Sequence, residues 1–585
     1  VSRQVASKAA SELLQDAYGA QQAGQLGPAE AIYRRLLEGE PRNAAAYHGL
    51  GLVLRDLGRY DAAVAALQRA VELNPSGPNA WYNLGRLYMT REAAVKACAC
   101  FERAVGLRPD WLEARLGWAI TLIKNQQAVR AEELLRETAR LTPDNPHVAV
   151  LTANALLLQG RTAEVGPFLE RAAAAMPGYP ELLLMQTCYA RALGQLDLAR
   201  SYCEQLVTTY PTHEHGRVTL ALIALEQHDC DAAIPLMRAA VEACPRGQHA
   251  AYFDAWVTYL GGDERDGWRR FRRWLHLKSE LEGKTPALPH ALEDLVGRTV
   301  LLDPEQGLGD SLNYVRYAAA LGARGVRIVL RAVPALRSLL AESLPGITVV
   351  GDDVPVPRHD LRLPEMALPV LFGSWDEAVP PPVRLVADPH DRAVWEARLG
   401  GGPDRRIGLV WAGNPSHFND SNRSLAVDAL RPLLDLPGHR FFSLQVGARS
   451  AEAAALGDRV TDLSPALNDF AQTAAALSAL DLLIAVDTSI VHLAGNMGVP
   501  CWMLLANAPD WRWGRTGETT PWYPSLRLFR QERPRDWATV ISRVGAALAR
   551  ISHTPPLMAF WLPRFRVWFV GCGDFRGFGL NLVAG

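Results

Sequence analysis

Lysine is nearly missing from this chain. Only Lys8, Lys96, Lys124, Lys278 and Lys284 occur among its 585 residues, and none follows position 284. The second half therefore has no lysine for a Schiff base or a phosphate loop, and its positive charge is arginine alone. A surplus of charge is missing too. The formal net charge is −1, which argues against a nucleic-acid binder, since phosphate contacts require a basic excess. The eight cysteines contain no CxxC pair, and Cys98 and Cys100 stand too close for paired zinc ligation, so they read as packing residues. Such cysteine usage fits a reducing, cytoplasmic compartment. No apolar run is long enough to span a bilayer, and the residues after Val1 do not read as a signal peptide. At this length one core does not suffice, and two or more domains are expected.

What is present is a period. Pro41, Pro75, Pro109, Pro143, Pro177, Pro211 and Pro245 fall 34 residues apart at every step. A helix-breaking residue closing each unit of fixed length is the mark of stacked helical hairpins. Turn positions keep the same step, with Gly24, Gly58, Gly160, Gly194 and Gly262, while Glu92, Gln126 and His228 depart from glycine. Small residues recur five positions later, at Ala29, Ala63, Ala97, Ala131, Ala199 and Ala233. Facing them on the first helix stand Ala17, Gly51, Gly85, Ala119, Ala153 and Ala221, so the helices are expected to cross closely. Trp81, Leu84, Gly85, Tyr88, Ala97, Phe101, Ala104 and Pro109 resemble the tetratricopeptide repeat. Seven full units run to Pro245, and a degenerate eighth keeps Ala255, Gly262 and Phe271, giving an array over 1–277. The resemblance implies a superhelix whose concave face takes a peptide or protein partner; a spacer or dimerisation element is the plainer reading.

The period stops in a linker, 278–298, and strand–helix alternation takes over. Thr299–Leu302, Val326–Leu330 and Ile347–Val350 read as strands, with helices over Ser311–Leu321 and Ala335–Ser343. After Pro380-Pro381-Pro382 the alternation restarts with strands at Arg406–Ala412, Phe441–Val446, Leu482–Val486 and Pro500–Leu505. Helices are expected over Val427–Leu434, Asp469–Leu480 and Ile490–Met497. This predicts parallel sheets in two lobes, 299–388 and 389–551, with a cleft where the carboxyl ends of the strands meet.

Three loops at those ends carry the chemistry. In the first, Glu305-Gln306-Gly307-Leu308-Gly309-Asp310-Ser311, Leu312 stands where a dinucleotide fingerprint needs its third glycine, and Asp310 would repel a pyrophosphate. That disfavours a nicotinamide-dependent oxidoreductase. Asp310 reads equally as a general base or as the cap of a helix starting near Ser311. The second loop runs from Trp411 through Gly413 and Asn414 to Asn422-Arg423-Ser424, where Arg423 is the best-placed cation for a diphosphate. A solvated surface arginine is the alternative. In the third, Asp487-Thr488-Ser489 opens a helix, which suits an anion. His492, one turn on, reads first as a hydrogen-bonded structural residue. Downstream, Pro509–Trp513 and Pro521–Pro524 form an aromatic-rich rim that could stack on sugars or join the lobes.

Together these segments resemble the heptosyltransferase-type glycosyltransferases, and more closely bacterial proteins that fuse such a domain to tetratricopeptide repeats. The resemblance implies α plus α/β architecture: a helical superhelix, then two Rossmann-like lobes of GT-B type. It also implies a nucleoside-diphosphate-sugar donor, and no cofactor or required metal. By position it makes Asp310 the base toward the acceptor hydroxyl and turns Arg423 to the donor diphosphate. Gly307, Gly309, Asn414, Asp487, Thr488, Ser489 and His492 then belong to the donor pocket. The expected activity is sugar transfer to a protein or glycan acceptor recruited by the repeats. The alternative is a non-catalytic scaffold with a degenerate transferase-like domain. The tail, 552–585, with Phe560, Trp561, Phe565, Trp568 and Phe569, fits neither half; membrane-surface or partner contact is one reading and disorder another.

Overall fold

The computed structural model describes residues 2–90, 93–282, 289, 291–305, 307–373, 379–415, 417 and 419–551. The 552–585 tail lies outside them, as do Glu92, Gln306 and Ser416.

The backbone copies the sequence period. First helices begin at Ala44, Pro78, Leu112, Pro146, Pro180, Glu214 and Gln248; second helices begin at Leu26, Tyr60, Ala94, Ala128, Leu196, Cys230 and Glu264. Consecutive starts in each set differ by the repeat length, except in the fifth hairpin. There a 3-10 turn, Thr162–Glu164, precedes the helix Gly166–Ala175, because Pro167 favours a helix start over a helix interior. Each described turn position is left-handed, from Gly24 and Gly58 at φ +73° to Gln126 at φ +59° and His228 at φ +63°. The hairpin geometry imposes this conformation whether or not glycine stands there. The small residues Ala29, Ala63, Ala97, Ala131, Ala199 and Ala233 are wholly buried. A Cβ on Gly51 would lie 2.7 Å from Leu67 Cγ, so the close crossing does require small residues. Cys98 and Cys100 are both buried, Cys98 in a cluster with Ala119 and Leu122 of the next hairpin.

Two parallel sheets follow. The first contains β1 (Thr299–Asp303), β2 (Arg327–Arg331), β3 (Thr348–Val350) and β4 (Leu361–Pro364), in the order β3-β2-β1-β4. The second contains β5 (Arg405–Val410), β6 (His439–Ser443), β7 (Val460–Asp462), β8 (Leu482–Val486), β9 (Cys501–Leu505) and β10 (Leu526–Arg530), in the order β10-β9-β8-β5-β6-β7. Each order reverses once, between β1 and β4 and between β5 and β8. Ligands of doubly wound sheets sit at such reversals, beyond the strands' carboxyl ends. β8 is buried along its whole length, as a central parallel strand covered on both faces should be.

Several elements differ from the sequence expectation. β4, β7 and β10 were not expected, because β7 has three residues while β4 and β10 alternate arginine with leucine instead of forming apolar runs. The helices Pro389–Leu399, rich in charge, and Trp537–Ile551 also add to the pattern. Val427–Leu434 is split into a 3-10 turn (Val427–Leu430) and a short helix (Arg431–Leu434), since Pro432 removes an internal donor.

The linker does not separate the halves. One continuous core joins the last two hairpins (Val218, Trp256, Trp268, Phe271) to the first sheet (Val300, Leu302, Leu330) and to one face of the second (Val410, Phe442, Leu483). The opposite face of the second sheet packs separately against Val540, Ile541 and Val544. The first three hairpins hold their own core, from Ala10 to Phe101.

Candidate functional site

The β1–β4 reversal holds the first loop. Its helix spans Leu308–Ala323, starting three residues before the expected Ser311, with the exposed Gly307 as N-cap. Asp310 therefore lies inside the first turn. Its Oδ2 accepts a hydrogen bond from the Gly307 N–H at 2.9 Å, the capping arrangement of a third-position carboxylate. Its Oδ1 meets the Arg512 guanidinium. Arg512 also donates to Asp510 Oδ1 at 2.8 Å and to the Tyr314 hydroxyl at 2.6 Å. Burial raises the Asp310 carboxyl above its usual range, against the pull of Arg512 and the Gly307 N–H.

A second acid, missed in the sequence, stands at the same reversal. Glu365 follows β4, is 4% exposed, and accepts a hydrogen bond from Ser311 Oγ at 2.7 Å. Burial pushes it to about 8, with Asp310, Glu305 and Asp303 adding repulsion, so near neutrality it is largely protonated. Its only sequence signal was a carboxylate following Leu361-Arg362-Leu363-Pro364.

The β5–β8 reversal holds the other two loops. Gln445, beyond β6, accepts from the Trp411 and Ala412 N–H groups at 3.1 and 2.9 Å and fixes the start of the second loop. The Gly413 N–H donates to Ser424 Oγ at 3.0 Å. A Cβ on Gly413 would lie 2.5 Å from Arg423 Nη2, so the arginine passes directly over this glycine and a side chain there would displace it. Arg423 ends the short helix Asp420–Arg423 and pairs with Asp420 Oδ1 at 3.2 Å; it is a half-sequestered cation, not a solvated one. Asn414 is exposed at the loop tip.

In the third loop Thr488 is an extended N-cap without a side-chain capping bond, ahead of the helix Ser489–Met497. Asp487 directly follows β8, and its carboxyl is raised by burial and by Asp510, with Arg423 opposing. The two lobes touch here. A Cβ on Gly309 would lie 3.0 Å from His492 Cδ2 and 3.5 Å from Ser489 Cα. His492 Nδ1 shares a hydrogen bond with the Tyr523 hydroxyl at 3.0 Å, and its ring lies 5.3 Å from that of Trp513. Burial drives His492 well below its ordinary value, so it is a neutral packing histidine. Asn496 Nδ2 donates to the Leu312 carbonyl at 2.6 Å, and Asn313 Nδ2 to the Tyr523 hydroxyl at 3.1 Å.

The three loops thus share one interlobe region, where Asp310, Asp487 and Asp510 face Arg423 and Arg512. The turn Trp511–Trp513 ties it together. Trp511, fully buried, packs on Tyr259, Trp268 and Phe271 of the eighth hairpin at ring distances of 4.9, 5.3 and 5.4 Å. Its neighbour Arg512 holds Asp310, and Trp513 lies beside His492. From the same hairpin Lys278 reaches Glu305, in the loop that leads to Asp310. The aromatic rim therefore joins the bodies, one of the two roles expected of it.

Profiles of the tetratricopeptide repeat match residues 51–90, 78–110, 116–180 and 182–213. The chain is 27% identical over 373 residues to Protein FlbA of Caulobacter vibrioides, a match covering 58% of this chain and 61% of FlbA. Similar solved structures include a tetratricopeptide repeat protein from Parabacteroides merdae (19% identity, 40% of this chain and 94% of that chain, TM-score 0.37). Others are PilF of Pseudomonas aeruginosa (20%, 36% and 96%, TM-score 0.31) and a human IFIT1 dimer with PPP-AAAA (21%, 46% and 68%, TM-score 0.33). The N-terminal half of this protein is a superhelix of tetratricopeptide repeats, a fold capable of protein–protein interaction, and a region of parallel sheets follows it.

Proposed function

We propose that the sheet region is a GT-B glycosyltransferase that moves a sugar from a nucleoside diphosphate to an acceptor recruited by the repeats. The observation that carries this reading is the convergence of both strand-order reversals on one interlobe region, a carboxylate on one side and an arginine with an open helix N-terminus on the other. Asp310, held beside Arg512, takes the proton of an acceptor hydroxyl as its oxygen attacks the anomeric carbon. The departing diphosphate is neutralised by Arg423 and by the first N–H groups of the Ser489 helix. The hairpin behind Trp511 and Lys278 holds the array close to the base, which suits delivery of a protein acceptor.

One observation favours the second reading, a scaffold without turnover: both Asp310 oxygens are already engaged, by Gly307 and by Arg512. A panel of nucleoside diphosphates and their sugars separates the two. Melting shifts should identify a binder, and the shift should shrink in Arg423→Ala. Asp310→Asn should keep binding but lose about 10²–10⁴-fold in sugar transfer. Binding without turnover in the wild type would mark a degenerate enzyme, and no binding a scaffold.

A further inference from the structure

The candidate donor region leaves unused a strongly basic cavity. It encloses about 460 Å³ between the Gly514–Glu518 loop, the edge strand β10 and the last helix, Trp537–Ile551. Five arginines line it, Arg515, Arg527, Arg530, Arg543 and Arg550, against two carboxylates, Glu518 and Glu532.

Those carboxylates do little to neutralise it. Glu518 pairs with Arg527 at 3.0 Å and Glu532 lies 3.6 Å from Arg543, but these carboxylates are 66% and 73% exposed, so both are weak surface pairs. Arg530 reaches no carboxylate among the described residues. Its guanidinium donates to the Gly517 and Gly514 carbonyls at 2.7 and 2.8 Å and to the Trp513 carbonyl, shaping the loop that forms one wall. Burial lowers it to about 10, the mark of a cation lacking a nearby anion. The side chains of Arg515 and Arg550, both exposed, have no hydrogen bond or ion pair among the described residues. Apolar atoms of Leu528, Phe529, Ala546 and Ala547 complete the lining.

We propose that this cavity is a second ligand site that binds a soluble phosphate-bearing small molecule, with Arg515 and Arg550 gripping the phosphate and Arg530 fixing the wall. Guanidinium groups bind phosphate oxygens in pairs, and the volume suits a compact phosphorylated metabolite. The site does not depend on the transferase reading, because none of its residues belongs to the three loops.

Pyrophosphate is the probe, titrated by calorimetry into the full chain at constant ionic strength. Binding should persist in Arg423→Ala and weaken about tenfold or more, roughly 1.4 kcal/mol, in the double variant Arg515→Ala/Arg550→Ala. The double variant should melt at the wild-type temperature, since neither arginine has a partner to lose. No binding to the wild type overturns the proposal, as does equal affinity in the double variant. Loss in Arg423→Ala alone also overturns it, by assigning the pyrophosphate to the interlobe region. Sedimentation with phosphatidic-acid vesicles without pyrophosphate binding would refute the soluble ligand. Failure of the transferase reading looks different: Arg423→Ala would leave nucleoside-diphosphate binding unchanged.

Discussion

Arg512 is the residue on which most of the interlobe chemistry turns. It is 6% exposed at its side chain and faces three acceptors, Asp310, Asp510 and the Tyr314 hydroxyl. Its removal would leave two carboxylates crowded without a cation. Arg512→Ala is therefore expected to cost about 2–4 kcal/mol in chemical denaturation, more than Arg512→Lys. Glu365 supplies a pH signature. Its folded value of about 8 lies above the ordinary glutamate value, so the fold gains from it below pH 4.5 and loses that gain as pH rises through 8. Glu365→Gln can still accept from Ser311 but cannot ionise. Its melting temperature should gain on that of the wild type between pH 5 and pH 9, and a constant difference would refute the buried neutral acid. Asp310 and Arg423 were legible in the sequence because glycine-bearing loops followed recognisable strands. Glu365 was not, because one carboxylate after a four-residue strand has no spacing to betray it. Arg512 was seen only as part of an aromatic run, since two of its three partners, Asp310 and Tyr314, lie about two hundred residues away.

At the scale of single elements, the hairpin turn dictates backbone conformation more strictly than it dictates residue type. Gln126 and His228 hold the left-handed conformation that glycine holds elsewhere. His228 has a reason to remain, because Asn507 of the second sheet region contacts its ring at 3.1 Å. Gln126 has no such interdomain contact among the described residues, so Gln126→Gly should stabilise by about 1 kcal/mol and raise the melting temperature. Gly58→Ala should do the opposite. A stabilised Gly58→Ala would mean the turn tolerates side chains freely. The spacing of the repeat hairpins was legible because proline, turn and small positions all repeat, although the fifth hairpin departs from it at its second helix. The missed strands were obscured because arginine interrupts β4 and β10 and β7 has only three residues, so sheet partners define them instead of apolar runs.

In the molecule as a whole, the eighth hairpin belongs as much to the sheets as to the array. Trp511 is enclosed by Tyr259, Trp268 and Phe271, and further contacts join Asn507 to the Glu226 carbonyl at 2.9 Å and Arg535 to the Arg191 carbonyl at 2.8 Å. Trp511→Ala should cost about 3–5 kcal/mol and loosen Arg512 with it. A fragment starting at Thr299 should aggregate or unfold, whereas one starting at Glu214 should stay soluble; a well-folded shorter fragment would refute the shared core. Hydrogen exchange should show the last two hairpins protected together with the sheets, and the first three opening independently. In the sequence, 278–298 read only as a linker where the repeat period stops. Nothing in its composition announced that tryptophans on either side would meet.

The union of hairpins seven and eight with the sheets also bears on how such a chain can evolve. Units near the amino terminus lean only on one another, so duplication or loss there changes reach and cargo without disturbing the rest. Units after Glu214 are frozen in place by neighbours they did not arise beside. Diversity among descendants of this protein should therefore accumulate at the far end of the superhelix.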